Sequence, residues 1–466
     1  MRLSAETLAR LPQGVQRPAY DRAAQQVGIV HFGIGAFHRA HQAVHTDAAM
    51  NAGERDWAIL GISLRSAGVA AQMNPQGGLY GVTERSGGGA TTRIVGAVRG
   101  VLVAQERPDA VVAALASPHA RIASFTVTEK GYCRAGDGGL DPALAGDGSI
   151  YRYLGVALAL RRERGLPGLT LLSCDNLAEN GVQLQALLGA YLAQRDPALG
   201  EWVTAHCAFP SSMVDRIVPA TTPADRDAAQ AALGGLRDEA HVVTEPFSQW
   251  VIEDRFAGPR PRWEDHGAQL VSDVRPYETA KLRMLNGAHS ALAYLGLLHG
   301  HAFVHQAIAD PAVRPLVEAL MREEAAPSIA AAPGQDLAAY ADALLARFAN
   351  PALDHRLAQI AMDGSQKLPQ RWLETLAFHG ARDRRCPAIL TALAAWLLHL
   401  RGASGVVDDP LAGELAAAWQ AHGAAGIVSA IFGSAGLIAS AWHPAAADVS
   451  IIDAAMRRLD PRRLPG

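Results

Sequence analysis

The chain has 466 residues, 49% of them apolar and 19% charged, with a formal net charge of -3. That is the balance of a globular protein of two or three domains, and so small a charge argues against nucleic acid or a charged membrane surface as a partner. The opening MRLSAETLAR lacks the charged head, apolar run and cleavage site of an export signal, and Cys133, Cys174, Cys207 and Cys386 form no CxxC pair, so a reducing, cytoplasmic setting is expected, with neither a disulfide framework nor a structural zinc site.

Taken in chain order, Gln26 to Gly33 (QVGIVHFG) is a β-branched run ending in glycine and predicts a first buried strand. One long helix is expected from Phe37 to Asn51, closed by Gly53, and Trp57 to Leu64 (WAILGISL) predicts the second strand. Further strands are expected over Ile94 to Val103, Ile122 to Val127 and Leu169 to Ser173, separated by helical stretches such as Pro108 to Ala116. Strands alternating with helices predict a parallel sheet covered on both faces. After about Pro276 the sequence turns Ala/Leu-rich with helical periodicity and turn signals at Pro311, Pro333 and Pro351. The expected organisation is therefore a Rossmann-type, doubly wound α/β domain over 1–275 that binds a dinucleotide. A mostly α-helical domain over 276–466 is expected to carry substrate and catalysis. The best membrane candidate, Gly426 to Trp442, is interrupted by Gly433, Ser434 and Gly436 and falls short of the ~20 apolar residues a span needs; a buried helix is expected there. The sequence carries no signal for oligomeric state.

Gly33-Ile34-Gly35-Ala36-Phe37-His38 ends the first strand and opens the helix, the context a dinucleotide turn requires. Its glycines allow the sharp turn and the close approach of backbone to a pyrophosphate resting on the helix N-terminus. His38 stands where the third glycine of GxGxxG belongs, followed by Arg39. The cofactor-binding candidates are thus Gly33, Gly35, Ala36, Phe37, His38 and Arg39. An NAD site commonly places a carboxylate after the second strand to hold the ribose diol. Here that stretch reads Ile62 to Ser66 (ISLRS), with no acid. Arg65 can receive a 2′-phosphate or is simply a solvated loop charge, so NAD is expected and NADP stays open. Glu129 and Lys130, in TEKGY after a later strand, join the same set.

Of the 42 basic residues only three are lysines, Lys130, Lys281 and Lys367. Arginine has replaced lysine wherever a generic positive charge suffices, yet it cannot lose a proton near neutrality. All three lysines fall inside polar motifs. The segment KLRMLNGAH places Lys281, Asn286 and His289 on a predicted helix, with Asn286 roughly 140° and His289 roughly 80° from Lys281 at α-helical pitch. Oxidation of an alcohol by hydride transfer needs a base for the hydroxyl proton and donors for the developing alkoxide. Lys281 suits the base role where burial lowers its pKa, Asn286 the donor role, and His289 a neighbouring hydroxyl. Asn176, in SCDN at the end of a strand, is a second donor candidate. Asp215 either contacts substrate or pairs with Arg216. The run MDGSQKLPQR (362–371) is expected to be a polar loop in which Lys367 and Arg371 bind a hydroxyl or a carboxylate. The bland alternative in each case is a turn carrying solvated charges.

Together GIGAFHRAHQ, TEKGY, SCDNLAENG, FPSSMVDRIVP, TEPFSQWVIED, KLRMLNGAHS and MDGSQKLPQR resemble the long-chain mannitol dehydrogenase family, which includes fructuronate reductases, over about residues 28–371. The resemblance implies a Rossmann-type domain followed by a helical one, no zinc, and Lys281 as the base that takes the alcohol proton. It implies Asn176 and Asn286 on the substrate oxygen, Asp215 and His289 on other hydroxyls, Lys367 at the substrate end, and Glu278 in proton passage to solvent. Two departures stand out. No acid follows the second strand, and Gln359 stands where an arginine eight residues before Lys367 is usual in mannitol dehydrogenases. The run QIAMDGSQKLPQR is similar to that of fructuronate reductases, which handle a carboxylated substrate. Interconversion of D-mannitol and D-fructose is the first expectation, and reduction of fructuronate to mannonate the alternative. A nucleotide-binding regulator without catalysis predicts erosion of Lys281, Asn176 and Asn286, and all three are present.

Overall fold

Five strands whose inward faces are almost wholly apolar build the centre of the N-terminal half. They appear in a computed structural model that describes residues 1–352 and 354–460. In chain order the strands are β1 (Val27–Phe32), β2 (Ala58–Ser63), β3 (Tyr80–Ser86), β4 (Gly89–Val95), β5 (Val98–Val103), β6 (Ile122–Phe125), β7 (Thr170–Ser173), β8 (Ser212–Asp215), β9 (Val242–Thr244), β10 (Gln249–Glu253) and β11 (Ala268–Val271). The central sheet runs β5-β2-β1-β6-β7, and every neighbouring pair in it is parallel. Burial on both faces explains why β6 and β7 read as continuous runs rather than alternating ones. Two three-stranded sheets, β11-β10-β8 and β4-β3-β9, complete this half. The chain divides into two compact units, Met1–Arg275 and Pro276–Gly466.

Two sequence expectations are corrected here. The single strand expected over Ile94 to Val103 is two strands in different sheets, β4 against β3 and β5 against β2. Gly96 lies between them, its N–H donated to Asp47 and its carbonyl accepting from Arg22, so side chains replace the sheet ladder at that point. The single helix expected from Phe37 to Asn51 is also two, Ala36–Ala40 and Gln42–Asn51, broken at His41. The His41 ring is held by the Gln249 carbonyl at 3.0 Å and lies against Trp250 and Phe37. A distant strand therefore sets the break.

The C-terminal unit is helical around one apolar cluster. Its centre is the helix Pro387–Leu400, buried from Ala388 to Leu400, which lies between the helices Gly287–Leu298 and Ala446–Leu459. That explains a helix apolar on all sides. The buried helix expected over Gly426 to Trp442 ends at Phe432. Beyond it the chain folds back, and the amides of Leu437 and Ile438 bond the carbonyls of Ala430 and Ile431, satisfying orphan acceptors of the last turn. The stretch Ala412–Phe432 is long and apolar enough to cross a membrane by length and composition. However, Gly423, at φ 57° and ψ -170°, divides it into segments 412–422 and 424–432, each far short of the ~20 residues of a span.

Candidate active site

In a parallel sheet all strand C-termini share one edge, and ligands bind there beside the point where strand order reverses. In the N-terminal unit that point lies between β1 and β6, and the edge carries Gly33, Arg65, the segment Thr126 to Lys130, and Asp175 with Asn176. Gly33 has φ 92°, and a Cβ on it would lie 2.0 Å from the Thr126 carbonyl oxygen, so no other residue fits this turn. The Thr126 hydroxyl donates to the Gly33 carbonyl at 2.6 Å, and the His31 ring bridges Thr126 and Ser124 at 2.9 and 2.8 Å. Gly35 then caps the helix that begins at Ala36, and Phe37 stacks on His41. This glycine turn leading to a helix N-terminus fits a dinucleotide pyrophosphate.

His38 and Arg39 depart from the expected cofactor role. The His38 ring is buried and stacked on His31, with centroids 3.4 Å apart. The Arg39 guanidinium is buried against Tyr80 and donates to the Ala240 carbonyl. Both side chains serve the interior that supports the turn. Arg65 is exposed just beyond β2, and Glu129 and Lys130 are exposed in the short helix Thr128–Gly131 after β6. The Asp175 carboxylate clamps that segment to the end of β7, accepting from the amides of Val127 and Thr128 and from the Tyr132 hydroxyl, each at 2.9 Å. Burial pushes its pKa up, and these three donors oppose the rise. Asn176 follows it, exposed. Asp215 is buried at the end of β8, while Arg216 bonds Glu84 at 2.7 Å and the Glu245 carbonyl.

In the C-terminal unit the helix Arg275–Ala280 runs through a π-helical turn, Lys281–Asn286, into the helix Gly287–Leu298. Such turns close i→i+5 bonds and recur at functional sites. The π turn corrects the α-helical spacing expected here, because five residues come nearly full circle and carry Asn286 round toward the side of Lys281. Lys281 is 8% exposed, Asn286 and Glu278 half-buried. A second π turn, Pro369–Leu373, lies against the first, where Trp372 Nε1 donates to the Gly287 carbonyl at 3.1 Å.

That neighbour brings Arg371 to the same helix, its guanidinium donating to the Ser290 hydroxyl at 2.7 Å. Burial pushes the Arg371 pKa down to about 10, and among the described residues no carboxylate pairs with it. His289 is buried beside Phe348 and His355, with centroids 4.9 and 5.1 Å away. Burial, then His355, Arg347 and Arg371, hold its pKa well below the ordinary imidazole range, so His289 is neutral near pH 7. Arg347 and His355 were missed in the sequence; the signal for Arg347 is one buried arginine in the apolar ALLARF. The polar loop expected over 362–371 is instead the short helix Gly364–Leu368 followed by the π turn. The Asp409 carboxylate caps it through Ser365, and a Cβ on Gly364 would strike Trp396 and Tyr294. Within it Lys367 donates to the Met362 carbonyl at 2.7 Å and lies 3.4 Å from Asp363.

Residues 27–265 match the mannitol dehydrogenase Rossmann domain and residues 273–434 the mannitol dehydrogenase C-terminal domain. The chain belongs to the mannitol dehydrogenase family. It is 40% identical to the D-mannonate oxidoreductase of Escherichia coli over 96% of both chains. It is 37% identical to a mannitol 2-dehydrogenase of Phaeosphaeria nodorum, over 90% of this chain and 77% of the relative. Among solved structures, the Pseudomonas fluorescens mannitol 2-dehydrogenase in ternary complex with NAD and D-mannitol is 35% identical, with a TM-score of 0.80 over 99% of this chain and 97% of that one.

Proposed function

We propose that the protein interconverts a sugar acid and its keto form, of the D-mannonate and D-fructuronate type, with NAD(H), and that Lys281 is the general base. The observation that carries the choice of substrate is Arg371. A half-buried guanidinium with no carboxylate partner among the described residues suits a carboxylate arriving with the substrate. The 40% identity to a D-mannonate oxidoreductase supports the same reading. Lys281 is 8% exposed, so its amine is held largely out of solvent, unlike that of a surface lysine. It then takes the hydroxyl proton at Nζ while Asn286, on the same π turn, donates to the oxygen as negative charge develops. NAD, when bound, supplies the hydride acceptor at its nicotinamide C4.

The turn at Gly33 and Gly35 suits the pyrophosphate, and Arg65 sets the preference between NAD and NADP. The remaining roles implied by the resemblance belong to this proposal: Asn176 at the substrate oxygen, Asp215 and His289 at hydroxyls, Lys367 at the substrate end, Glu278 in proton release, and Glu129 and Lys130 near the cofactor. The four cysteines are free, in keeping with work in a reducing cytoplasm. Mannitol is the second reading, favoured by the similarity to the P. fluorescens mannitol 2-dehydrogenase. Initial rates on D-fructuronate and D-fructose, each with NADH and NADPH, separate the two. Faster fructuronate reduction is expected; faster fructose reduction makes the protein a mannitol dehydrogenase.

A further inference from the structure

Away from the residues assigned to the reaction, the turn that ends the helix Gly287–Leu298 gathers three metal-ligating side chains. His299 and His301 flank Gly300, and Asp310 follows the helix Val304–Ala309. His299 Nδ1 and His301 Nε2 lie 2.9 and 2.8 Å from the same oxygen, Asp310 Oδ2, and all three ligand atoms fall within 4.8 Å of one another. We propose that His299, His301 and Asp310 form a binding site for a divalent first-row transition ion, zinc foremost, with water completing the coordination.

The spacing carries the argument. With metal–nitrogen and metal–oxygen bonds of about 2.0–2.1 Å, two donors at the tetrahedral angle on one zinc ion stand about 3.3 Å apart, so each ring need draw back only about half an ångström from its hydrogen-bonded separation of 2.9 or 2.8 Å to admit the ion. Two imidazoles and one carboxylate suit zinc, nickel or copper better than magnesium or calcium, which take oxygen. The ligands are also held in place before any ion arrives. Asp310 Oδ1 accepts from the Ala312 amide at 2.8 Å, which leaves Oδ2 for an ion. His299 closes its helix through a bond to the Leu295 carbonyl, and the His301 amide bonds the Gly296 carbonyl across Gly300, which has φ 81°. Backbone anchoring of this kind fixes ligand orientation. Side-chain exposures of 27, 27 and 15% leave room for water ligands. A bound ion would tie the end of the helix that begins just after Lys281 and Asn286 to the start of the next segment.

The test uses the full-length protein stripped with chelator and titrated with ZnCl2 by calorimetry, and with CoCl2 by visible absorption. The comparison variants are His299→Gln with His301→Gln, and Asp310→Asn, which keeps an acceptor for the Ala312 amide. One saturable site is expected, with cobalt ligand-field bands and a rise in melting temperature of a few degrees at a hundredfold excess over Kd. Binding should weaken at least tenfold in either variant while circular dichroism is unchanged. No saturable binding overturns the proposal. So does binding that persists unchanged in both variants, because it places the ion on others of the 17 histidines.

Discussion

Replacing Arg371 with methionine separates a substrate ligand from a structural arginine, because the two roles predict opposite effects on stability. Burial lowers the guanidinium pKa from 12.5 to about 10. At about 1.4 kcal/mol per unit this corresponds to at most about 3 kcal/mol spent on keeping the charge in the fold at pH 7. Methionine removes that cost and retains much of the packing, at the loss of the bond to Ser290, worth about 1 kcal/mol. The variant should therefore be as stable as the parent or up to about 2 kcal/mol more so in urea unfolding. Toward a carboxylated substrate the sign reverses. Losing a charge-assisted, two-pronged contact costs about 3–4 kcal/mol, so kcat/KM for D-fructuronate should fall some hundredfold to thousandfold, while that for D-fructose changes less than about threefold. The assay is NADH oxidation at 340 nm with each ketone. A variant that is destabilised by more than 1 kcal/mol, and slowed equally on both substrates, would refute the reasoning and return Arg371 to a packing role.

Lys281→Ala should lose turnover by orders of magnitude while NADH titration gives an unchanged Kd; near-normal turnover would sink its assignment as base. Asp175→Ala strands two backbone amides and leaves the Tyr132 hydroxyl with Ser173 alone, so urea unfolding should show a loss of about 2–4 kcal/mol; a loss below 1 kcal/mol would mean the clamp is not needed. Glu324 is 4% exposed, and burial raises its pKa to about 7 against the pull of the Ala388 and Ile389 amides. Because the folded value lies above the unfolded 4.5, its protonated form favours the fold. That contribution is complete below pH 4.5 and is lost as pH climbs through 7, by at most about 3 kcal/mol. The parent should therefore lose stability across that window and Glu324→Gln should flatten the curve; parallel curves would contradict the shift. Gly33→Ala places a methyl group 2.0 Å from the Thr126 carbonyl and should abolish NADH binding by fluorescence, or soluble expression altogether; normal binding would show that the turn relaxes.

What could be read from the chain alone were features whose cause is local. The strands of a parallel sheet are buried on both faces, so β1, β2, β6 and β7 stand out as unbroken apolar runs between helices. The turn at Gly33 is legible because only glycine tolerates its backbone and its neighbour. Lys281 stands out in the sequence as a candidate because lysine is so rare here that each one asks for a reason. What the tertiary structure decided depends on partners far along the chain. His41 breaks its helix to meet a carbonyl 208 residues away, and Gly96 ends one strand because Asp47 and Arg22 take its polar groups. Periodicity cannot announce a π turn at Lys281–Asn286, since one extra residue in a turn leaves no composition mark. The grouping of His289 with Arg347, His355 and Arg371 joins three helical segments and a loop that share no motif. That no carboxylate pairs with Arg371 among the described residues is likewise a property of the tertiary structure, where packing and not sequence spacing determines which charges remain without an opposite charge beside them.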